Sequence, residues 1–502
     1  MQQLRQRVQR ALPYALGSAL LQIALSLVGM VLLVRYLSPA DYGVWILLQG
    51  LIGIVELAAS FGFLMVLVRS LPALEKPREI ADLVWSVTLR RLVFTAAVAA
   101  LLVAAFPLYA TRFEVEAHRF EVNLIPAFLV PAVGSAYLVA ALHARFEQGA
   151  VLGASLAGQL MMLGATALGI VQRRPLAYFV IVFVVTSWMQ FVVLAGLFAR
   201  RFGGPRRADL LRSLPETDYQ RRYRRVSWLD DLGVRVLSTD IDRYLIGFFS
   251  QSAQVAIYAV AATIVARLEY LLPHRMLQSV IEPAIYRRYE EAGGVPGVAP
   301  IFGAIFRVNY LLAFGFLAVF LPLGGELLRV VFGDVYDASW APVVIFLAFL
   351  AFNSNPLGMV IHAVRRPELL VFSKVVIPLN LVLAWLLVPH YGALGMAAAT
   401  GTTMALKNIA LFAVAERQLG LSIPWVATLR CAAAAALTAG AVRLVPEGVP
   451  LLVRVATAVL IYFTAALFLG VLVRNDARLA AALLPDSLRR RLPTTWVAPS
   501  EG

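Results

Sequence analysis

The sequence predicts an all-α integral membrane protein of about fourteen spanning helices in two tandem bundles. Three observations lead there. Hydrophobic residues fill 61% of 502 positions, charged residues only 15%, and mean hydropathy is +0.79. A soluble globular domain does not carry so much apolar surface. Apolar runs near the roughly 20 residues needed to cross a bilayer recur along the whole chain. The chain also resembles itself downstream: LLVRYLSPADYGVW, moved by 213, falls on LIGFFSQSAQVAIY. That shift sets Trp45 on Tyr258, Gly43 on Ala256 and Glu56 on Glu269. Near the same offset Pro107 meets Pro322 and His143 meets His362. Matches in one order indicate homologous bundles, the architecture of membrane transporters with a site between repeats.

Taken in order, the first six expected spans are 12–34, 43–68, 83–109, 122–142, 151–171 and 176–198. The next six are 226–249, 255–281, 301–323, 341–361, 369–388 and 393–415. Two more, 425–445 and 450–473, lie outside the repeat. This divides the chain into a first bundle at 1–200, a basic linker at 201–225 and a second bundle at 226–417. The extra helices fill 418–474, and a tail 475–502 follows. Ser38-Pro39-Ala40-Asp41 reads as a tight turn with Pro second and Asp near free backbone amides. Pro389-His390-Tyr391-Gly392 offers the same chemistry between the eleventh and twelfth helices. Met1–Arg10 resembles the start of a signal peptide, but the apolar run after it is too long, so it reads as a retained first helix.

The net charge of +15 is a matter of topology. With the amino terminus inside, inner segments carry about 28 Lys/Arg and outer ones about 7, a positive-inside bias. Both termini and the 200–225 segment are therefore expected in the cytoplasm, and no nucleic acid partner is needed. The linker block reads as an anchor beside anionic lipid. Cys431 is the only cysteine, which excludes disulfides. No Gly-rich phosphate loop ending in Lys-Ser/Thr is present, so direct ATP use is not expected. The acids of Asp334-Val335-Tyr336-Asp337 read as a turn or cap, and no catalytic constellation is evident; the protein is not expected to be an enzyme.

Four segments resemble the polysaccharide flippases of the multidrug/oligosaccharidyl-lipid/polysaccharide exporter superfamily. They are RYLSPADYGVW, STDIDRYLIGFFSQSAQVAIYAVA, LLRVVFGDVYDASWAPVVIFLAF and PLNLVLAWLLVPHYGALGMAAATGTT, in the family's order. The resemblance implies two six-helix lobes, a central cavity, two extra carboxy-terminal helices and alternating access for a lipid-linked saccharide. It also implies the bacterial inner membrane and, as partners, the lipid-linked oligosaccharide, the bilayer, and polysaccharide polymerase and export proteins.

Ionisable groups at membrane depth are costly, so each is a functional candidate. The mid-helix cations Arg267, Lys374 and Lys407, joined by Arg243 and Arg307, are the expected ligands of an anionic diphosphate. Arg267 is expected to be the most sensitive, because its planar fork suits phosphate. Glu56, Glu269 and Asp240 are candidates for coupling to Na+ or H+, with no other cofactor. Structural readings stand beside these. Asp240 and Arg243, three apart, can neutralise one another. Asp230, Asp231, Arg90 and Arg91 can snorkel to the inner surface. Arg267 and Glu269, two apart, point in different directions and need separate partners. Trp45 and Tyr258 read first as interfacial belt residues.

The expected function is export of a polyprenyl-diphosphate-linked oligosaccharide for exopolysaccharide, capsule or O-antigen assembly. A drug/cation antiporter of the same fold is the alternative, but its acids belong in the first bundle, with few mid-membrane cations. A peptidoglycan-precursor flippase shares the anionic-cargo chemistry. A membrane polysaccharide polymerase or ligase needs a long outer loop, and the outer loops here are short.

Overall fold

The computed structural model describes 21–64, 74–145, 147–206, 238–276, 294–353, 355–364 and 373–472, with single positions between these stretches. The expected helix before residue 21, Asp230, Asp231, most of the linker and nearly all of the tail lie outside them.

Helix α1 (Leu21–Tyr36) leads into α2 (Pro39–Ser60). The expected tight turn is here a helix start. Ser38 is the N-cap, its hydroxyl accepting the Asp41 amide at 3.1 Å, and Pro39 takes the first helical position. Pro is preformed for that place and lacks an amide that would go unpaired. The Ser38 hydroxyl in turn donates to the Asp41 carboxylate at 2.7 Å. Helix α3 (Pro77–Ala104) ends where Ala105 leaves the helix, and a one-turn helix Phe106–Tyr109 carries Pro107 onward. Helices α4 (Ile125–Ala144), α5 (Gln148–Val171) and α6 (Leu176–Phe202) follow. Helices α7 (Thr239–Phe249) and α8 (Ser252–Tyr270) form the next pair. Helix α2 begins at Pro39 and α8 at Ser252, so the repeat offset of 213 holds for the helix starts.

Helix α9 (Val295–Phe332) runs 38 residues through Pro300 and Pro322. A 3₁₀ turn, Asp334–Ser339, joins it to α10 (Trp340–Asn353). In that turn Asp337 accepts from Arg329 at 2.9 Å and Tyr336 is buried, which pushes its phenol up to about 12. Helical geometry continues from Ile377 to Leu419, but Gly392 breaks it at φ 51°, ψ −125°. Asn380 donates to the Thr400 hydroxyl at 3.3 Å. Twenty residues of straight helix would hold those groups about 30 Å apart. The chain therefore folds back at Gly392 into α11 (377–391) and α12 (393–419). Helices α13 (Trp425–Arg443) and α14 (Leu451–Phe468) end the described chain.

Among the described residues ten stretches are long and apolar enough to cross a membrane, one of them the folded-back Lys374–Leu419. The helices α1, α7 and α10 are shorter over their described lengths. The chain divides into two compact units. The amino unit is Ser18–Ala259 with Val388–Gly392; the carboxy unit holds Val260–Leu387 and the chain from Ala393 on. The division falls inside α8.

In the amino unit Trp85, Val133, Tyr137, Leu194 and Phe198 form a core among α3, α4 and α6. Trp45 and Tyr258 are 3% and 0% exposed. Both are packed residues of the interior, and neither is the interfacial belt residue that composition pointed to. In the carboxy unit Leu323, Val442 and Ala458 join α9, α13 and α14. The two helices outside the repeat thus pack on α9, where Tyr462 donates to the Leu311 carbonyl at 2.7 Å.

Candidate functional site

The charges gather in two places, one in each unit. In the amino unit α7 lies along α2, and small residues permit the approach. A Cβ on Gly53 would stand 2.6 Å from Arg235 Nη1 and 2.7 Å from Asp240 Oδ2. One on Gly43 would overlap the Ser252 carbonyl. Into that space Arg235 donates to Asp240 Oδ2 at 2.6 Å, and Arg243 donates to Asp240 Oδ1 at 3.1 Å. Both carboxylate oxygens of Asp240 are therefore taken by guanidinium groups. Glu56, half-buried on α2, lies in the field of Arg235 and Asp240. Two residues on from Asp240, buried Asp242 accepts the Tyr258 hydroxyl. Asp240 and Arg243 form the neutralising pair that their spacing allows, and Arg235 joins it from outside that spacing.

The carboxy unit holds the second group. Arg275 donates to Glu269 Oε1 through Nε at 3.0 Å, and its Nη2 lies 3.0 Å from the same oxygen. The charges that act on Lys407 are those of Lys374, Glu269 and Arg275. Lys407 therefore feels two other cations and a carboxylate that Arg275 already engages. Lys374 and Lys407, on either side of the α11–α12 fold-back, lie in one another's field. Arg267 is not among the charges that act on Lys407. It is half-buried on α8, its Nε without a hydrogen-bond partner among the described residues. Arg275, which the sequence analysis did not single out within the expected span 255–281, joins the group from the short helix Pro273–Met276 after α8.

Arg307 has another occupation. Its Nε donates to Asp476 Oδ2 at 2.7 Å, and Nη2 meets the other carboxylate oxygen. The fork expected to hold a diphosphate is filled by a buried acid from beyond α14. A partner 169 residues away leaves no local signal in the sequence. Arg91 is also bound within the protein, its guanidinium 5.0 Å from the Phe61 ring and 4.8 Å from the Phe63 ring. A cation held between two rings in this way is drawn to their faces.

In the carboxy unit a row of neutral polar groups links α10 and α12. Asn408 donates to the Asn353 side chain, and Asn355 donates to Asn408 Oδ1 at 3.4 Å. The unit thus holds a group of cations, suited to an anionic head, and a row of amides.

Residues 12–286 match the polysaccharide biosynthesis protein family. The chain belongs to that family. No curated protein sequence matches it. Among solved structures it is similar to the lipid II flippase MurJ in an inward closed conformation, with 12% identity and a TM-score of 0.66. That likeness covers 90% of this chain and 98% of the flippase. It is also similar to an inward-facing multidrug resistance MATE transporter of the MOP superfamily, with 14% identity and a TM-score of 0.59. There 79% of this chain and 94% of the transporter are covered. Family and fold together make this a multi-pass membrane protein with the fold of that exporter superfamily.

Proposed function

We propose that this family member is an alternating-access flippase that moves a polyprenyl-diphosphate-linked oligosaccharide across the bacterial inner membrane, for exopolysaccharide, capsule or O-antigen assembly. One observation carries the reading: Lys374 and Arg275 act on Lys407 as like charges, while Glu269 is already engaged by Arg275. Like charges at membrane depth repel unless water or an anion lies among them. A diphosphate supplies that anion, while its lipid tail stays in hydrocarbon. Arg267, with an unfilled donor, is the next candidate ligand. Glu56 is the acid proposed for Na+ or H+ coupling, because Asp240 and Glu269 are occupied by arginines. Both termini and the basic linker are placed in the cytoplasm by the charge bias. Polymerase and export proteins are the proposed partners.

The test is complementation of polysaccharide export in a flippase-null strain, with protein level followed by blot. Lys407→Ala and Arg267→Ala are expected to abolish export at normal abundance. Arg267→Lys should keep part of it, since the charge survives and the fork does not. Full export by Lys407→Ala would overturn the assignment of the cluster. A second reading, transport of a peptidoglycan precursor, draws on the likeness to the lipid II flippase. Rescue of a strain depleted of its own lipid II flippase, without rescue of polysaccharide export, would select it.

A further inference from the structure

The amino unit holds a cavity of about 280 Å³ that the transport reading does not use. It lies among α2, the end of α3, the segment leading to α4, and α7. Leu47, Leu51, Tyr109, Phe113, Val122 and Tyr244 are among its walls, which are wholly apolar. The two phenols do not change that character. Tyr109 donates to the Leu102 carbonyl at 3.0 Å and Tyr244 to the Leu47 carbonyl, so both hydroxyls are tied to backbone. Apolar cavities of roughly 150 Å³ stay dry and take up benzene or xenon. This one is larger, and left empty it forfeits the contacts of its whole lining.

A second observation indicates what fills it. Phe106, Tyr109, Phe113 and Phe248 stand in series, with ring centroids 5.9, 6.3 and 6.4 Å apart. A guanidinium sits over each end. Arg119 Cζ is 5.9 Å from the Phe106 ring and Arg112 Cζ is 4.4 Å from the Phe248 ring. Both arginines are exposed, and neither has an ion pair among the described residues. The nearest acids in sequence are engaged elsewhere. Glu114 accepts from the Ser252 amide and hydroxyl at 2.8 Å each, and Glu116 accepts from the Thr111 hydroxyl. His118 stands 3.7 Å from both Asp41 and Glu121. The same segment exposes Leu101, Leu108 and Phe120, a surface suited to hydrocarbon. An apolar hollow with cations beside it, on a lipid-facing surface, matches a molecule with an apolar chain and an anionic head.

We infer that this cavity receives an acyl chain of an anionic glycerophospholipid of the bilayer, its anionic headgroup drawn by the cations Arg112 and Arg119 at the two ends of the ring series. The site is separate from the lysine cluster assigned to cargo and does not depend on that assignment. Its volume suits part of one chain, and the two exposed arginines supply positive charge for an anionic headgroup.

The experiment uses the full-length protein in nanodiscs with phosphatidylglycerol carrying a diazirine at the end of one acyl chain. After irradiation, cross-linked peptides are mapped by mass spectrometry. Label is expected within 44–54 and 102–125, with phosphatidylglycerol competing better than phosphatidylcholine. Leu51→Trp fills the cavity and should lower that label about tenfold, the factor that goes with 1.4 kcal/mol. Arg112→Gln with Arg119→Gln should erase the preference for phosphatidylglycerol and leave chain labelling by phosphatidylcholine intact. Those two residues are exposed, so this variant keeps the test decisive if Leu51→Trp does not fold. Label confined to other helices, or unchanged competition in the double arginine variant, would overturn the inference. Stronger competition by polyprenyl phosphate would also overturn it, by assigning the cavity to the carrier lipid.

Discussion

The two units hold their charges in opposite ways. In the amino unit Asp240 is clasped by Arg235 and Arg243, with Glu56 beside them, two acids against two bases. In the carboxy unit Lys374 and Arg275 act on Lys407 as like charges, and Arg275 already engages Glu269. Removing one partner of a buried pair strands the other, so the first arrangement acts as a brace. Like charges gathered at membrane depth are costly, which makes the second arrangement a functional candidate. Counting charges at membrane depth does not separate the two cases; their pairing does.

The largest effect is expected from Asp240→Ala. It strands two partly buried guanidiniums and should cost about 3 kcal/mol, read as a lower melting temperature and loss of monodisperse protein in detergent. If Asp240→Ala folded normally and lost only transport, the brace would be a binding site and the comparison would fail. Lys407→Ala should do the reverse. It relieves repulsion, so stability should hold or rise, while affinity for a diphosphate lipid falls about 10- to 100-fold, as for a lost hydrogen bond to a charged group. A drop in stability without a change in binding would make Lys407 structural.

Gly53→Ala sharpens the first half of the comparison. Its Cβ meets the ends of two side chains rather than backbone, so the pair must shift, at about 1 to 2 kcal/mol. Melting should show that loss, and Asp240→Asn on the same background should add less than it does alone. The smallest effect is expected for Arg307→Lys, which keeps the charge facing Asp476 and gives up one of two hydrogen bonds, about 1 kcal/mol. Diphosphate binding should not change in this variant. Weaker binding would return Arg307 to the cargo site.

Helix starts and turns were legible because they follow from order along the chain. Helix starts at Pro39 and Ser252 keep the offset, and Gly392 turns the chain where the Pro389–Gly392 sequence places a turn. Pairings across the fold were not. Arg275 engages Glu269 from the short helix after α8, Asp476 reaches α9 from beyond α14, and Arg235 meets Asp240 at a spacing of five that helix periodicity does not favour. Burial was equally obscure for Trp45 and Tyr258. Lipid and protein interior are both apolar, so composition alone does not tell a belt residue from a core residue.

Cys431 is fully buried in α13, and it is the chain's only thiol. The unaltered protein is therefore its own blank for maleimide chemistry. Each cysteine introduced at a loop becomes the one site that reacts, with no native residue to remove first. Scanning the basic linker and the α3–α4 segment from either face of the membrane can then be done on an otherwise wild-type background.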